Sequence, residues 1–134
     1  MQAGLLRVKL KHLDEFNAER CRIAERYLTE IKNDLITFPK VREGADSTWH
    51  QFVIHTSYRD ELKAYLEKNG IGTLIHYPIP PHLSEAYQYL GKKRGDYPIS
   101  EKYADEVLSL PMYNGMTADE IQTVIDAVNS FRKA

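Results

Sequence analysis

The decisive stretch is Gly70-Ile-Gly-Thr-Leu-Ile-His-Tyr-Pro-Ile-Pro-Pro-His82. Its first half carries Ile71, Thr73, Leu74 and Ile75, which suit an extended, half-buried backbone. Its second half carries Pro78, Pro80 and Pro81. Each proline fixes φ and removes an amide donor, so neither a helix nor a central strand continues through them. Proline also pushes its preceding residue out of the helical region, which makes Tyr77, Ile79 and Pro80 extended. A strand thus runs into a stiff loop that displays His76, Tyr77 and His82. Loops at strand ends are where α/β proteins commonly keep functional groups.

The flanking sequence supplies support for that loop. Upstream, Leu62, Tyr65 and Leu66 mark the inner face of a helix over residues 58–68. Ser57 and Asp60 resemble its capping box, and Asn69-Gly70 stops it. Residues 48–55 alternate as a strand, with Trp49, Gln51, Val53 and His55 on one face and His50, Phe52 and Ile54 on the other. Apolar residues on both faces make this strand central. Residues 35–41 read as an irregular or edge segment, and 42–47 as a polar loop. From residue 1 to 33, Leu6, Leu10, Leu13, Ala24, Tyr27, Leu28 and Ile31 recur at helical steps. One helix of that length would run about 50 Å. It opens without an N-cap sequence, so it is expected to continue or dock in a larger parent protein.

Downstream, residues 83–90 read as a short helix and 91–96 as a basic, glycine-bounded loop. A second short helix follows over 101–106, with Ser100 as its N-cap. Val107-Leu-Ser-Leu110 is a third strand, and Asn114-Gly115 a turn. Thr117-Ala-Asp-Glu120 opens a last helix through Ile121, Val124, Ile125, Val128 and Phe131. The fold class is therefore α/β (α+β): a small three-stranded sheet covered by helices, with a long N-terminal helix. Residues 1–134 form a single domain, divided into the helix 1–33 and an α/β part 34–134.

Composition narrows the function. The 134 residues carry a formal net charge of -1, so there is no global electrostatic case for nucleic acid or an anionic membrane. No apolar run approaches the roughly 20 residues that span a bilayer, and no signal-peptide pattern opens the chain. The single cysteine, Cys21, excludes an internal disulfide; a cytoplasmic location is the default. Nine tyrosines suit partner contacts, with a monomer equally open.

Five histidines raise the question of a metal. His50 and His55 fall on opposite strand faces, and His76 and His82 lack a carboxylate or thiolate at ligand spacing. Cys21 has no local activator, and no Gly-x-Ser-x-Gly elbow, Walker loop or complete Gly-x-Gly-x-x-Gly is present. His76 and Tyr77 remain. One reading has them capping backbone and packing the loop; the other has an imidazole and a phenol presented to a polar ligand such as a sugar hydroxyl or phosphate. His82 either joins them or caps the next helix. Lys92, Lys93 and Arg94 read as a solvated loop, with phosphate binding as the alternative.

Several ordered motifs together resemble a known family. They are residues 1–20, Trp49-His-Gln-Phe-Val-Ile54, Arg59-Asp-Glu-Leu62, the 70–82 stretch, Val107-Leu-Ser-Leu-Pro-Met112 and Met116-Thr-Ala-Asp-Glu120. The chain is similar to the C-terminal small domain of the DegT/DnrJ/StrS family of pyridoxal-phosphate-dependent nucleotide-sugar aminotransferases. The resemblance implies fold type I architecture, a large domain carrying the cofactor and its Schiff-base lysine, and a homodimer. The implied reaction moves an amino group from glutamate to a nucleotide-linked keto sugar, for polysaccharide or antibiotic biosynthesis. His76 and Tyr77 then face the sugar; His82, from its place in the same loop, is a further candidate for substrate binding. None of the lysines lies in a context resembling the Schiff-base site. The cofactor-binding large domain is thus expected to be absent, and the chain alone to be inactive and to bind no pyridoxal phosphate. The competing expectation is a stand-alone, non-catalytic module that binds a nucleotide sugar or a partner protein.

Overall fold

Helical spacing at the N-terminus builds two helices. In the computed structural model, which describes residues 2–133, α1 spans Gln2–Leu10 and α2 spans Leu13–Glu30. The single helix expected over 1–33 is corrected accordingly; Met1 lies outside the described residues. The His12 amide donates to the Lys9 carbonyl at 3.0 Å, closing one ladder, and the next starts from the His12 carbonyl. No proline or glycine stands at this break. Burial accounts for the division: α1 buries no side chain, whereas α2 buries Ile23, Ala24 and Tyr27. Short helices in water depend on tertiary packing, and α1 has none to hold it in line with α2.

The sheet has two strands where three were expected. β1, Phe52–His55, pairs antiparallel with β2, Val107–Leu110, with Phe52 opposite Leu110 and His55 opposite Val107. Residues 71–75 meet β2 only at Leu74, whose amide donates to the Ser109 carbonyl at 3.3 Å while the Ser109 amide donates back at 2.8 Å. Gly72 weakens the entry to this segment and Pro78 closes its exit, which leaves room for a single bridge. At the other edge Thr37 and His55 exchange amide bonds of 2.8 and 2.9 Å. β1 is thus paired along its length with β2 and touched at His55 alone by Thr37, and the strand expected over 48–55 starts only at Phe52. Phe52 and Ile54 are buried, and Val53 and His55 half-buried.

Helices cover this sheet. α3, Arg59–Lys68, buries Leu62 and Leu66 and stops at Asn69; Gly70 follows with φ +76, where a side chain would be strained. The Ser57 capping box is not formed, and the Tyr58 amide instead donates to Thr56 Oγ1 at 3.2 Å. α5, Ala118–Ser130, opens on the predicted capping box: the Glu120 amide donates to Thr117 Oγ1, and the Thr117 amide to the Glu120 carboxylate. It buries Ile121, Val124, Ile125 and Val128. Tyr27 lies at the centre, its ring 5.0 Å from Phe52 and its hydroxyl donating to the Pro111 carbonyl at 2.9 Å.

Beyond the proline loop the helix expected over 83–90 is replaced by two 3₁₀ turns, Pro81–Leu83 and Glu85–Leu90, neither of which buries a residue. Without a buried face, these short segments keep the tighter i to i+3 bonding. α4 runs Pro98–Glu106, with Tyr97 rather than Ser100 at its N-cap and proline in its first turn, where no amide donor is needed. No described helix is long and apolar enough to cross a membrane.

Candidate functional site

The loop after Leu74 gives its three ring residues different surroundings. The Leu74 bridge brings His76 against β2, and His76 Nδ1 lies 2.8 Å from Ser109 Oγ. Ser109 is a buried hydroxyl in a strand whose four residues are all buried, so this bond satisfies it. In a neutral imidazole one nitrogen donates and the other accepts. The Ser109 bond occupies Nδ1 and leaves Nε2 for a ligand. Tyr77, joined to His76 by a cis peptide bond, is 74% exposed and stands edge-on to the imidazole at 5.5 Å. The structure thus brings His76 and Tyr77 together.

His82 turns the other way. Its side chain is 9% exposed, and Nε2 lies 3.0 Å from Glu101 Oε1. The Glu101 carboxylate also accepts from the Gly95 amide at 2.9 Å and the Tyr97 amide at 3.2 Å. The Gly95 amide, with help from His82 and Tyr97, holds this carboxyl below its ordinary range in spite of burial. An ionised Glu101 only accepts, so His82 Nε2 carries the proton. The Tyr97 ring packs edge-on to His82 at 4.8 Å.

Between loop and helix lies a concavity of about 530 Å³, bounded by His76, Tyr77, Ile79, Tyr87 and Tyr103. Its walls are mainly apolar, with phenols and an imidazole at the margins. That combination suits a ring with hydroxyl groups, which offers both flat apolar faces and hydrogen-bonding edges. A smaller concavity of about 150 Å³ lies on another side of His76, against His50, Gln51 and Ser109. In the basic loop, Arg94 pairs with Asp105 at 3.2 Å, and the Lys92 ammonium lies 5.7 Å from the Tyr97 ring centre.

A larger concavity, about 990 Å³, opens between residues 34–40, the end of β1 and α4. His55 Nδ1 faces Glu106 Oε2 there at 3.5 Å, and Tyr103 abuts the imidazole at 4.2 Å. His55 Nε2 is closed off from solvent and has no partner. The free nitrogen cannot meet a ligand in this arrangement, so the loop site is the better candidate. Among the described residues no three His, Cys, Asp or Glu side chains converge as metal ligands.

Ser109 and Glu101 went unread in the sequence, though each leaves a trace. Ser109 is the polar member of the apolar run Val107-Leu-Ser-Leu110, and Glu101 sits in the first turn after Pro98. Tyr87 and Tyr103 leave none, because only the packing of the loop beside α4 brings them to it.

Comparison with known proteins shows the family of the chain. The profile of the DegT/DnrJ/EryC1/StrS aminotransferase family matches residues 1–129. The erythromycin biosynthesis sensory transduction protein EryC1 of Saccharopolyspora erythraea is 47% identical over 93% of this chain and 34% of its own length. The dTDP-3-amino-3,6-dideoxy-alpha-D-galactopyranose transaminase of Aneurinibacillus thermoaerophilus is 41% identical over 98% of this chain and 36% of its own. The crystal structure of S. venezuelae DesV in complex with a ketimine intermediate superimposes with a TM-score of 0.91 at 41% identity, over 96% of this chain and 35% of that one. The chain spans about a third of the length of the curated relatives it matches.

Proposed function

The chain belongs to the DegT/DnrJ/EryC1/StrS aminotransferase family, and we propose on that premise that it is the C-terminal, substrate-facing domain of a sugar transaminase. The parent reaction moves an amino group from glutamate to a keto sugar carried on a nucleotide. In this reading residues 34–134 form the small domain, and α1 with α2 leads into it from a large domain carrying the cofactor. The observation that carries it is the pairing of His76 and Tyr77 beside a ring-sized concavity, in a chain matched to sugar transaminases along almost its whole length. His76 Nε2 and the Tyr77 hydroxyl meet the sugar, and His82 serves the same site from behind.

The cofactor of such a parent is pyridoxal phosphate, which supplies the electron sink for amino transfer. The residues around the concavity do not fit it. They include no lysine to hold its aldehyde and no carboxylate to face its ring nitrogen. In this reading the cofactor is held by the large domain of the parent, and what this chain supplies is binding and orientation of substrate. The parent acts as a homodimer in the cytoplasm, where nucleotide sugars are made. The exposed Leu5, Leu6, Val8 and Leu10 of α1 are consistent with a helix that docks on further protein.

The test is a titration of the isotope-labelled chain with a dTDP-linked keto sugar, followed by amide and ring resonances. Shifts centred on His76 and Tyr77 are expected. Saturable shifts elsewhere, or none at any concentration, would overturn the substrate contact. Borohydride reduction with pyridoxal phosphate is the companion measurement. A stoichiometric adduct on one lysine of this chain would refute the assignment of the cofactor to another domain.

A further inference from the structure

The proline loop must be held in place with few backbone bonds. Pro78, Pro80 and Pro81 have no amide donor. Among the described residues, no backbone hydrogen bond ties residues 75–82 to the sheet or to α4; the loop's own bonds, from Leu83 to Pro80 and from Ser84 to Pro81, are internal. Ile75 packs against the core at the start of this stretch, and three attachments follow it. His76 Nδ1 meets Ser109 Oγ at 2.8 Å, Pro80 is buried, and His82 Nε2 meets Glu101 at 3.0 Å. The first and last are side-chain bonds that bracket Tyr77 and Ile79, both well exposed.

Glu101 is suited to more than closing one bond. Its side chain is 7% exposed, and it gathers donors from two separate segments, His82 from the 3₁₀ turn and the Gly95 and Tyr97 amides from the basic loop. Its neighbours on α4, Ser100 and Ala104, line the same concavity as Tyr77 and Pro81. One carboxylate thereby sets the distance between the loop and the helix that form the two walls.

We propose that Glu101 is the positioning residue of this site, holding the loop through His82 so that His76 and Tyr77 present one fixed geometry to the sugar of a nucleotide-linked substrate. Glu101 does not touch the substrate. The inference rests on the reading of His76 and Tyr77 as substrate contacts, and the two are separable by experiment.

The experiment compares the wild-type chain with Glu101→Ala, Glu101→Gln and His82→Ala by heteronuclear NMR. Resonances of Phe52, Ile54 and Val124 report the fold. Relaxation at Tyr77, Ile79 and His82, and cross-relaxation between Tyr77 and Ala104, report the loop. Glu101→Ala is expected to leave the core resonances in place, to mobilise residues 77–82 and 95–97 together, and to weaken dTDP-sugar binding at least tenfold. Glu101→Gln keeps an acceptor for the Gly95 and Tyr97 amides and restores part of both losses. His82→Ala, which spares the 95–97 bonds, mobilises 77–82 alone and serves if the Glu101 variants do not fold. A loop that stays ordered in His82→Ala, or in a folded Glu101→Ala, overturns the proposal. If the wild type binds no dTDP-sugar, the substrate reading fails, and the positioning of a sugar site by Glu101 fails with it even where the loop loosens. If binding occurs at His76 and Tyr77 but is equal in all variants, the substrate reading stands and the positioning role is refuted.

Discussion

Ser109 and Glu101 show how single polar atoms shape this protein. Ser109 is buried, and its hydroxyl partner is a histidine from a segment that touches the sheet at one residue. Ser109→Ala leaves His76 Nδ1 without that partner and is expected to cost about 1 kcal/mol. For a domain of this size that lowers the thermal midpoint by about 4 °C; an unchanged midpoint would show the bond to be idle. Glu101 makes a different prediction. Its folded-state pKa lies below the ordinary 4.5 because the Gly95 amide and its other donors favour the ionised form. The unfolded chain therefore binds the proton first as pH falls. The stabilisation is complete above the ordinary value and is lost as pH drops through the folded one. Denaturation midpoints measured across the acid range should fall less steeply in Glu101→Gln than in the wild type, and superimposable slopes would contradict the assignment.

At the scale of elements, the contrast is between α5 and α1. α5 has a complete capping box and four buried apolar residues on one face. Thr117→Ala removes the acceptor for the Glu120 amide and should destabilise by about 1 kcal/mol in chemical denaturation. α1 has no buried side chain and ends before the first residue that reaches the core. A chain starting at residue 11 should thus unfold within about 0.5 kcal/mol of the full chain. A larger loss would mean that α1 contributes packing to this domain. The same truncation removes exposed Leu5, Leu6, Val8 and Leu10, so any concentration-dependent association measured by sedimentation should decrease with it.

For the molecule as a whole, one core joins α2 to α5 across the strands and α3. Tyr27 from α2, Phe52 and Ile54 from β1, Leu62 and Leu66 from α3, Leu108 from β2 and Val128 from α5 are all fully buried. Leu108→Ala is expected to cost about 2–5 kcal/mol because the surrounding elements cannot all close on the cavity. Polar ties run over the same long separations, with Glu19 accepting from the Asn114 side chain and the Gly115 amide, and Asn33 donating to the Val128 carbonyl. Most of these elements were legible from local pattern. Helical spacing marks α2, α3 and α5, alternation marks β1, and the Thr117 box marks a helix start. The readings that failed did so where local pattern is silent. Residues 71–75 look like a strand, but they pair only at Leu74, because Gly72 has no side chain to pack and Pro78 ends the extended run. Residues 1–33 look like one helix, yet their unity depends on burial that α1 lacks. The site divides in the same way. Proline chemistry is local, so a stiff, donor-poor loop carrying His76, Tyr77 and His82 can be read from the residues alone. That His76 and Tyr77 share a concavity while His82 is held by Glu101 follows from packing, which selects hydrogen-bond partners 33 and 19 residues away.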